Sequence, residues 1–360
     1  MPGPHPHRGP QGGGARPPRI GLVLGAGGMV GQAFHAGTLA ALEHDLGWDA
    51  RSAEVIVGTS AGSVTGAALR LGVRGLDLAA DAVAMAPSDE GRRFLAALDL
   101  GAVSFPAFEL RQLLRPWHLP SRRLLAEIAR RPWAFRPGVV ALTLVPPGWV
   151  DLSDQTDALV PLLGPSWPVG PRVCATRADT GARVVFGEED HPEVRLDRAV
   201  SASCAIPGYF QPVEIDGVRH LDGGVHSATN ADCLRLDHLD LVIVSSPMSA
   251  AAGRARSADA VLRWSNHRRL EHEVSRLRAA GTTVVTFEPT STVLADMGLN
   301  ALANDRSDRV MREAFFAAGA RMRCPDVVAA LAPIARQPTP LGSGTSSGCR
   351  PHERVEPAVA

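Results

Sequence analysis

The chain has 360 residues, of which 45% are hydrophobic and 21% are charged, and its 37 basic and 37 acidic side chains give a formal net charge of zero. The apolar fraction excludes a globally disordered chain, and the balanced charge gives no bulk attraction to nucleic acid. All basic residues are arginine, because the sequence contains no lysine. This excludes a Schiff-base lysine, a Walker-type phosphate loop and a Ser-Lys dyad.

Cysteine usage and the chain ends lead to expectations about compartment and order. The five cysteines are scattered and include no Cys-x-x-Cys pair, so we expect neither a disulfide framework nor a structural zinc site, and a reducing compartment fits. The first twenty residues lack the apolar stretch of a secretory signal. The most apolar long stretch, 21–42, contains six glycines, which favours strand, turn and helix over a membrane span. We expect a soluble cytoplasmic protein with disordered tails at 1–18 and 337–360.

Between these tails, short β-branched segments alternate with longer helical patterns, beginning with a strand at 20–24, a helix at 29–44, a strand at 54–57 and a helix at 60–71. Further strands are predicted at 172–176, 183–186, 213–215, 241–245 and 283–287, and further helices at 258–280 and 307–331. The alternation predicts an α/β domain over 19–336, with a mostly parallel central sheet covered on both faces.

The stretch 87–168 has a different character. It carries four of the six tryptophans among many prolines, with short helical patterns near 124–130 and 157–163. We interpret it as a helical insertion or cap that covers one end of the sheet. Ordinary packing helices of the core domain are an equally good interpretation.

A glycine-rich loop follows the first predicted strand and opens the first helix. Its sequence over residues 25–31 is Gly-Ala-Gly-Gly-Met-Val-Gly, and the backbone N–H groups of such a loop suit an anionic group. A dinucleotide-binding turn is the alternative. Against it, Val30 occupies the last position of Gly-x-Gly-x-x-Gly, and the next strand ends without the acidic residue that a ribose needs.

The second predicted strand runs into Gly-Thr-Ser-Ala-Gly at residues 58–62. Gly-x-Ser-x-Gly between a strand and a helix forms a tight turn that exposes the serine hydroxyl beyond the sheet edge. Ser60 as a plain helix cap is the alternative. The strand before, the helix after and the loop one unit upstream favour Ser60 as a nucleophile.

A third motif, Asp222-Gly223-Gly224, lies far downstream of Ser60. Alone it indicates only a turn. It follows the segment Ala-Val-Ser-Ala-Ser-Cys-Ala-Ile-Pro-Gly-Tyr-Phe at 199–210 and a predicted hairpin at 213–217.

Four of these segments resemble the patatin-like phospholipase family in their order and separations, over about residues 19–330. They are the glycine-rich loop, Gly-Thr-Ser-Ala-Gly, Ser-Ala-Ser-Cys-Ala-Ile-Pro within 199–210, and Asp-Gly-Gly. The resemblance implies a three-layer α/β/α fold, no metal or organic cofactor, and a lipid or other acyl ester as substrate. It also implies that Ser60 is the nucleophile, that Asp222 is its partner in a Ser-Asp dyad, and that the amides of Gly27, Gly28 and Met29 form an oxyanion hole. The glycines that support these motifs are Gly25, Gly31, Gly58, Gly62, Gly223 and Gly224.

The glycine-rich loop departs from the family pattern in two respects. The family commonly has a basic residue where this chain has Val30, so we expect weaker activity or a less anionic substrate. The stretch 31–37 is also one residue longer than the usual form, which affects the register of the helix start.

Two alternatives to the dyad stay open at this stage. A Ser-His-Asp triad needs a late histidine, and His226 is a better candidate than His238, His267 or His272. A catalytically weakened lipid-binding module would keep the fold without turnover. An arginine-rich helix within 258–280 allows transient contact with a membrane surface, and no pattern indicates an oligomeric state.

Overall fold

The computed structural model of the chain describes residues 16–80, 82–98, 116–117, 119–132, 136–152, 171–188, 194–254 and 258–335. Most of the two predicted tails, the predicted helix at 157–163 and much of 87–168 lie outside this part. The domain boundaries and the cap therefore stay predictions. Arg16, within the predicted N-terminal tail, contacts Asp240 at 3.0 Å.

Eight strands of the described residues form one mixed sheet in the order β5-β6-β3-β2-β1-β7-β8, with β4 also paired to β3. The strands are β1 (Ile20–Leu24), β2 (Val55–Thr59), β3 (Pro171–Arg177), β4 (Arg183–Phe186), β5 (Val213–Ile215), β6 (Val218–Asp222), β7 (Leu241–Ser245) and β8 (Thr283–Phe287). The run from β3 to β8 is parallel, whereas β4, β5 and β6 pair antiparallel. The predicted α/β fold with a mostly parallel sheet is confirmed.

Helices pack on both faces of this sheet. They are α1 (Gly28–Leu46), α2 (Ala61–Arg70), α3 (Gly75–Leu78), α4 (Asp89–Leu98), α5 (Arg122–Arg130), α6 (Pro137–Leu144), α7 (Leu196–Ser203), α8 (Ala260–Ala279), α9 (Ser291–Met297), α10 (Ser307–Met322) and α11 (Pro325–Leu331). The prediction of one helix over 307–331 is wrong. The chain breaks between α10 and α11 because Pro325 cannot continue a helix but fits its first turn.

Successive side chains along each strand point to opposite faces of the sheet. Leu22 and Leu24 of β1 pack on one face with Leu39 of α1. Val23, between them, packs on the other face with Leu277 of α8. The sheet therefore lies between two helical layers, and these apolar contacts form the core.

Helix α1 is buried along most of its length because α10 lies against it at close range. A Cβ atom on Gly37 of α1 would lie 2.1 Å from the backbone oxygen of Met311 in α10. The apolar stretch 21–42 is a strand followed by this core helix. In the described part of the chain, no helix combines the length and the apolar character that crossing a membrane requires.

The described cysteines are in two states. Cys174, Cys204 and Cys233 are free. Cys324 is disulfide-bonded, which is a single bridge in a chain whose sequence predicts no disulfide framework. The cytoplasmic location stays a prediction.

Candidate active site

The register of strand β3 brings two distant residues together. Thr59, the last residue of β2, pairs with Cys174 of β3, and Asp222, the last residue of β6, pairs with the next residue, Ala175. Strand β4 pairs along the opposite edge of β3, so β2 and β6 lie end to end along one edge. Ser60 follows Thr59 directly and therefore lies beside Asp222.

Ser60 has a strained backbone conformation at the turn between β2 and α2. Its φ of 52° and ψ of −119° lie in a region that residues with a Cβ atom rarely adopt. Close packing holds the turn, because a Cβ atom on Gly62 would lie 1.9 Å from the oxygen of Leu24, and one on Gly58 would lie 2.5 Å from Cα of Ser63. The predicted Gly-x-Ser-x-Gly segment thus occupies a sharp strand-to-helix turn, and the Ser60 residue is 4% exposed.

The Asp222 carboxyl group is buried next to this serine. The residue is 5% exposed, and burial raises the pKa of the carboxyl group to about 6. Hydrogen bonds with the Ser60 side chain and the Gly224 amide oppose this rise, because they stabilise the charged carboxylate. The Gly224 amide donates to Oδ1 at 2.6 Å, while Gly223 lies so close to β3 that a Cβ atom there would be 2.2 Å from the oxygen of Cys174.

The glycine-rich loop presents backbone amides at the start of α1. The flanking amides of Gly25, Ala26 and Val30 donate to the carbonyl groups of Ser245, Ala228 and Ala301 at 3.0, 2.7 and 3.3 Å. Between them, the three amides of residues 27–29 find no acceptor among the described residues. Amides at a helix N-terminus lack intrahelical partners and carry partial positive charge, so this loop can accept an oxyanion.

At two positions of this loop a residue larger than glycine would clash with its surroundings. Gly28 has a φ of +61°, and a Cβ atom on it would lie 2.4 Å from the oxygen of Ala301. A Cβ atom on Gly27 would lie 2.6 Å from Cα of Gly31. Gly31 itself has no contact of this kind closer than 3.3 Å.

Val30, at the position where the family commonly has a basic residue, is a core residue in this chain. It is 2% exposed and packs with Phe34 and Val293. The side chain therefore supplies no charge to the loop.

His35 is a site residue that the motifs did not identify. It is fully buried on α1, with Nε2 2.8 Å from the oxygen of Gly25 and Nδ1 2.8 Å from Oγ of Ser245. Burial lowers its pKa to about 4, so the ring is neutral at neutral pH. Because the carbonyl of Gly25 can only accept, Nε2 donates to it and Nδ1 accepts from the Ser245 hydroxyl. The only sequence signal was a polar residue within an apolar stretch.

Two further polar side chains fix the backbone around Ser60. The amide of Ser60 donates to Oγ of Ser203 at 2.8 Å, and Ser203 donates to the oxygen of Cys174 at 2.6 Å. The Nδ2 atom of Asn230 donates to Oγ1 of Thr59 at 3.1 Å. Ser203 belonged to a segment that only the family resemblance marked, and Asn230 had no signal in the sequence.

Cys204 flanks the same site. Its sulfur lies 3.8 Å from Oγ of Ser63, and burial together with the charge of Asp222 raises the pKa of its thiol to about 12. The side chain is therefore an uncharged thiol beside Ser60 and Asp222.

Among the residues that the structure describes, no histidine side chain forms a hydrogen bond with Ser60. No hydrogen bond or ion pair joins His226 to Ser60 or Asp222 there, and burial and three nearby arginines lower the pKa of His226 to about 3. His267 lies on α8, where Nδ1 is 2.9 Å from Glu288. The part of the chain that the structure describes also holds no group of three or more His, Cys, Asp or Glu residues placed to bind a metal ion.

One family model matches the sequence, and two solved structures are similar to it at low identity. Residues 22–234 match the family model described as patatin-like phospholipase. Among solved structures, VipD from Legionella pneumophila is similar at 14% identity and a TM-score of 0.42, with 85% of this chain and 67% of that chain covered. ExoU in its heterodimeric complex with SpcU, from the type III secretion system of Pseudomonas aeruginosa, is similar at 19% identity and a TM-score of 0.33, with 85% and 52% covered. This chain thus spans about half the length of the ExoU chain, and no curated protein matches it.

Proposed function

The chain belongs to the patatin-like phospholipase family, and from this premise we propose that it hydrolyses acyl esters of lipids through a dyad of Ser60 and Asp222. One observation carries the proposal: Ser60 lies beside the buried carboxyl group of Asp222, near three consecutive amides that have no acceptor among the described residues. Nucleophile, base and oxyanion donors are the three parts that acyl transfer requires.

The reaction follows from these positions. Asp222 takes the proton of Ser60 as Oγ attacks the acyl carbonyl, because a serine hydroxyl is a weak nucleophile until a base removes its proton. The amides of residues 27–29 stabilise the oxyanion, and losing one such donor typically costs about 10²–10³ in rate. The leaving alcohol takes the proton back from Asp222. Water, deprotonated by the same carboxylate, then releases the fatty acid from Ser60.

Asp222 fits the role of a direct base without an imidazole. A carboxylate with an ordinary pKa is a poor proton acceptor near neutral pH, and a raised pKa improves it. Burial raises the pKa of Asp222 to about 6. The surroundings of His226 favour the dyad over a Ser-His-Asp triad, because burial and three nearby arginines lower its pKa to about 3 and leave the ring a weak base. Its side chain lines a cavity to which Ser60 and Asp222 do not contribute.

Apolar surface near the loop supports a lipid as the substrate. Leu299 is 65% exposed and lies two residues before Ala301, whose carbonyl accepts from Val30 in the loop. Leu302 then packs with Tyr209 and Phe210. We infer that phospholipids or lysophospholipids reach Ser60 across this segment during transient contact with a lipid surface.

The test is hydrolysis of a mixed lipid extract, read as released fatty acids by mass spectrometry. Ser60→Ala and Asp222→Asn should each lower the rate at least about 10³-fold, because each removes a group that acts in the transition state. Ser275→Ala and Asp216→Asn are matched controls on the surface and should retain activity. Near-normal hydrolysis by either site variant would contradict the dyad.

An active-site-directed fluorophosphonate separates the hydrolase from a lipid-binding module. Labelling requires an activated hydroxyl, so the wild-type protein should be labelled at Ser60 and Asp222→Asn should react far more slowly. An unlabelled wild-type protein would favour the module, in which Val30 has replaced the usual cation without preserving turnover.

A further inference from the structure

A cavity of about 250 Å³ lies next to the candidate active site, at the turn between β3 and β4. Its described lining comes from α5, the start of α6, the turn itself and His226, four residues after Asp222. One wall, from α5 and α6, is apolar and consists of Leu124, Ile128, Val139 and Val140. Val139 also packs with Leu221 and Val225, which precede and follow Asp222 in the sequence.

Arg136 lines this cavity and has a buried hydrogen-bond donor without a partner among the described residues. Its Nη2 donates to the carbonyl of His226, whereas Nη1 is buried and has no partner among the described residues. No carboxylate of the described chain forms an ion pair with this guanidinium group, and burial lowers its pKa to about 10. A partly buried cation without a counter-charge costs free energy.

Two carboxylates near Arg136, Glu273 and Asp232, raise its pKa, but both are already paired with other arginines. Arg183 and Arg269 lie close enough to lower its pKa further, and each already pairs with a carboxylate of its own, Asp232 at 2.5 Å and Glu273 at 3.2 Å. The same three arginines lower the pKa of His226. Positive charge therefore remains in excess at this end of the cavity.

The remaining charged groups of the lining do not cancel this excess. Arg131 and Glu127 both line the cavity and lie 3.7 Å apart, so they compensate each other. Thr180, Gly181 and Ala182 of the turn are uncharged. The unpaired cation is thus Arg136, facing a wall of aliphatic side chains.

We propose that this cavity binds the anionic head of an amphiphile, a carboxylate or phosphate carried on an aliphatic chain. Arg136 holds the head group, since a guanidinium group matches both oxyanions with two parallel hydrogen bonds. Leu124, Ile128 and Val139 contact the first carbons of the chain. The site is separate from the proposed hydrolysis, because neither Ser60 nor Asp222 lines it.

Direct binding to the full chain tests the proposal with probes that contain no carboxylic ester and so cannot be hydrolysed at Ser60. Calorimetry below the critical micelle concentration would compare dodecanoate, dodecyl phosphate, inorganic phosphate and uncharged dodecanol. We expect either charged amphiphile to bind on the order of tenfold or more tightly than dodecanol and than inorganic phosphate. Whichever of dodecanoate and dodecyl phosphate binds more tightly identifies the preferred head group. Equal affinity for dodecanol would overturn the role of charge, and equal affinity for inorganic phosphate would overturn the role of the chain.

Variants locate the binding. Arg136→Gln should weaken binding of the charged amphiphiles to the level of dodecanol, and Arg136→Lys, which keeps the charge but loses the planar fork, should lie between. Arg122→Gln makes the same charge change on α5 outside the cavity lining and should bind normally. Because Arg136 is unpaired, its replacement by Gln should leave the melting temperature unchanged or raise it. Unchanged binding by Arg136→Gln, or a loss of binding that Arg122→Gln shares, would overturn the assignment.

Discussion

Asp222 holds its carboxyl group in an environment that favours the protonated form. Desolvation is the largest cause of its raised pKa, and the two hydrogen bonds that stabilise the charge compensate only in part. A base of this kind is useful near neutral pH, because it is ionised there yet retains a higher proton affinity than an exposed aspartate.

The pH dependence of hydrolysis should report this group. Because the carboxylate must be ionised to take the proton of Ser60, kcat/KM should be level above pH about 6 and fall about tenfold per unit below it. The measurement is a pH profile of kcat/KM with a soluble ester, repeated at several temperatures. Carboxyl ionisation has a small enthalpy, so the midpoint should hardly move with temperature. A midpoint that moves as an imidazole does would contradict Asp222 as the base.

The residues of the candidate site differed in how far the sequence could identify them. Ser60 was predictable because a strand, a tight Gly-x-Ser-x-Gly turn and a helix are all local signals. Asp222 needed the family resemblance, since Asp-Gly-Gly by itself indicates a turn, and its approach to Ser60 depends on which residues β3 pairs with. His35 was visible as a polar residue in an apolar helix, but its partner Ser245 lies on a distant strand.

At the scale of elements, β3 and α7 together position Ser60, the proposed nucleophile. Strand β3 aligns the ends of β2 and β6, and Ser203 at the end of α7 connects β3 to the amide of Ser60. The Ser203 hydroxyl, on a neighbouring helix, thus stabilises the strained turn at Ser60. Losing it leaves the buried amide of Ser60 without this acceptor, at a cost of about 1–3 kcal/mol.

Ser203→Ala should therefore slow the reaction of Ser60 with a fluorophosphonate by roughly tenfold or more, since the turn can relax. Ser201→Ala is the matched control: the same change in the same helix, at a buried hydroxyl that donates to the backbone of Asp197. Both variants should lose stability in urea titrations, but only Ser203→Ala should lose labelling rate. Equal labelling rates would show that Ser203 has a merely structural role.

The elements themselves were mostly predictable, and the exceptions have physical causes. Buried parallel strands such as β1 and β7 are runs of apolar residues with a clear signal. Strand β6 was missed as a separate strand because two of its three buried residues, His220 and Asp222, are polar, which removes the alternation that marks a strand. The break before α11 carried a local signal in Pro325 that helical periodicity alone ignores.

At the scale of the whole molecule, the buried carboxyl group of Asp222 lowers the free energy of unfolding when it is ionised. The folded chain binds the proton of Asp222 more tightly than the unfolded chain does, because the pKa of this group is about 6 in the folded chain and near its ordinary value of 3.8 in the unfolded chain. The free energy of unfolding therefore falls as pH rises between these two values. Above pH about 6 the ionised, desolvated carboxylate destabilises the fold by up to about 3 kcal/mol.

Asp222→Asn should consequently be more stable than the wild type at neutral pH, although the proposed mechanism predicts that it is inactive. The uncharged amide keeps the size of the side chain and can still accept from the Gly224 amide, but it carries no charge to desolvate. Urea denaturation of both proteins at pH 7.5 and pH 5 measures the difference. The advantage of the variant should be about 1–3 kcal/mol at pH 7.5 and should shrink at pH 5, where the wild-type carboxyl group is largely protonated. A difference that does not change with pH would mean that the folded chain holds this carboxyl group at an ordinary pKa, and the proposed base would then lack the proton affinity that the mechanism requires.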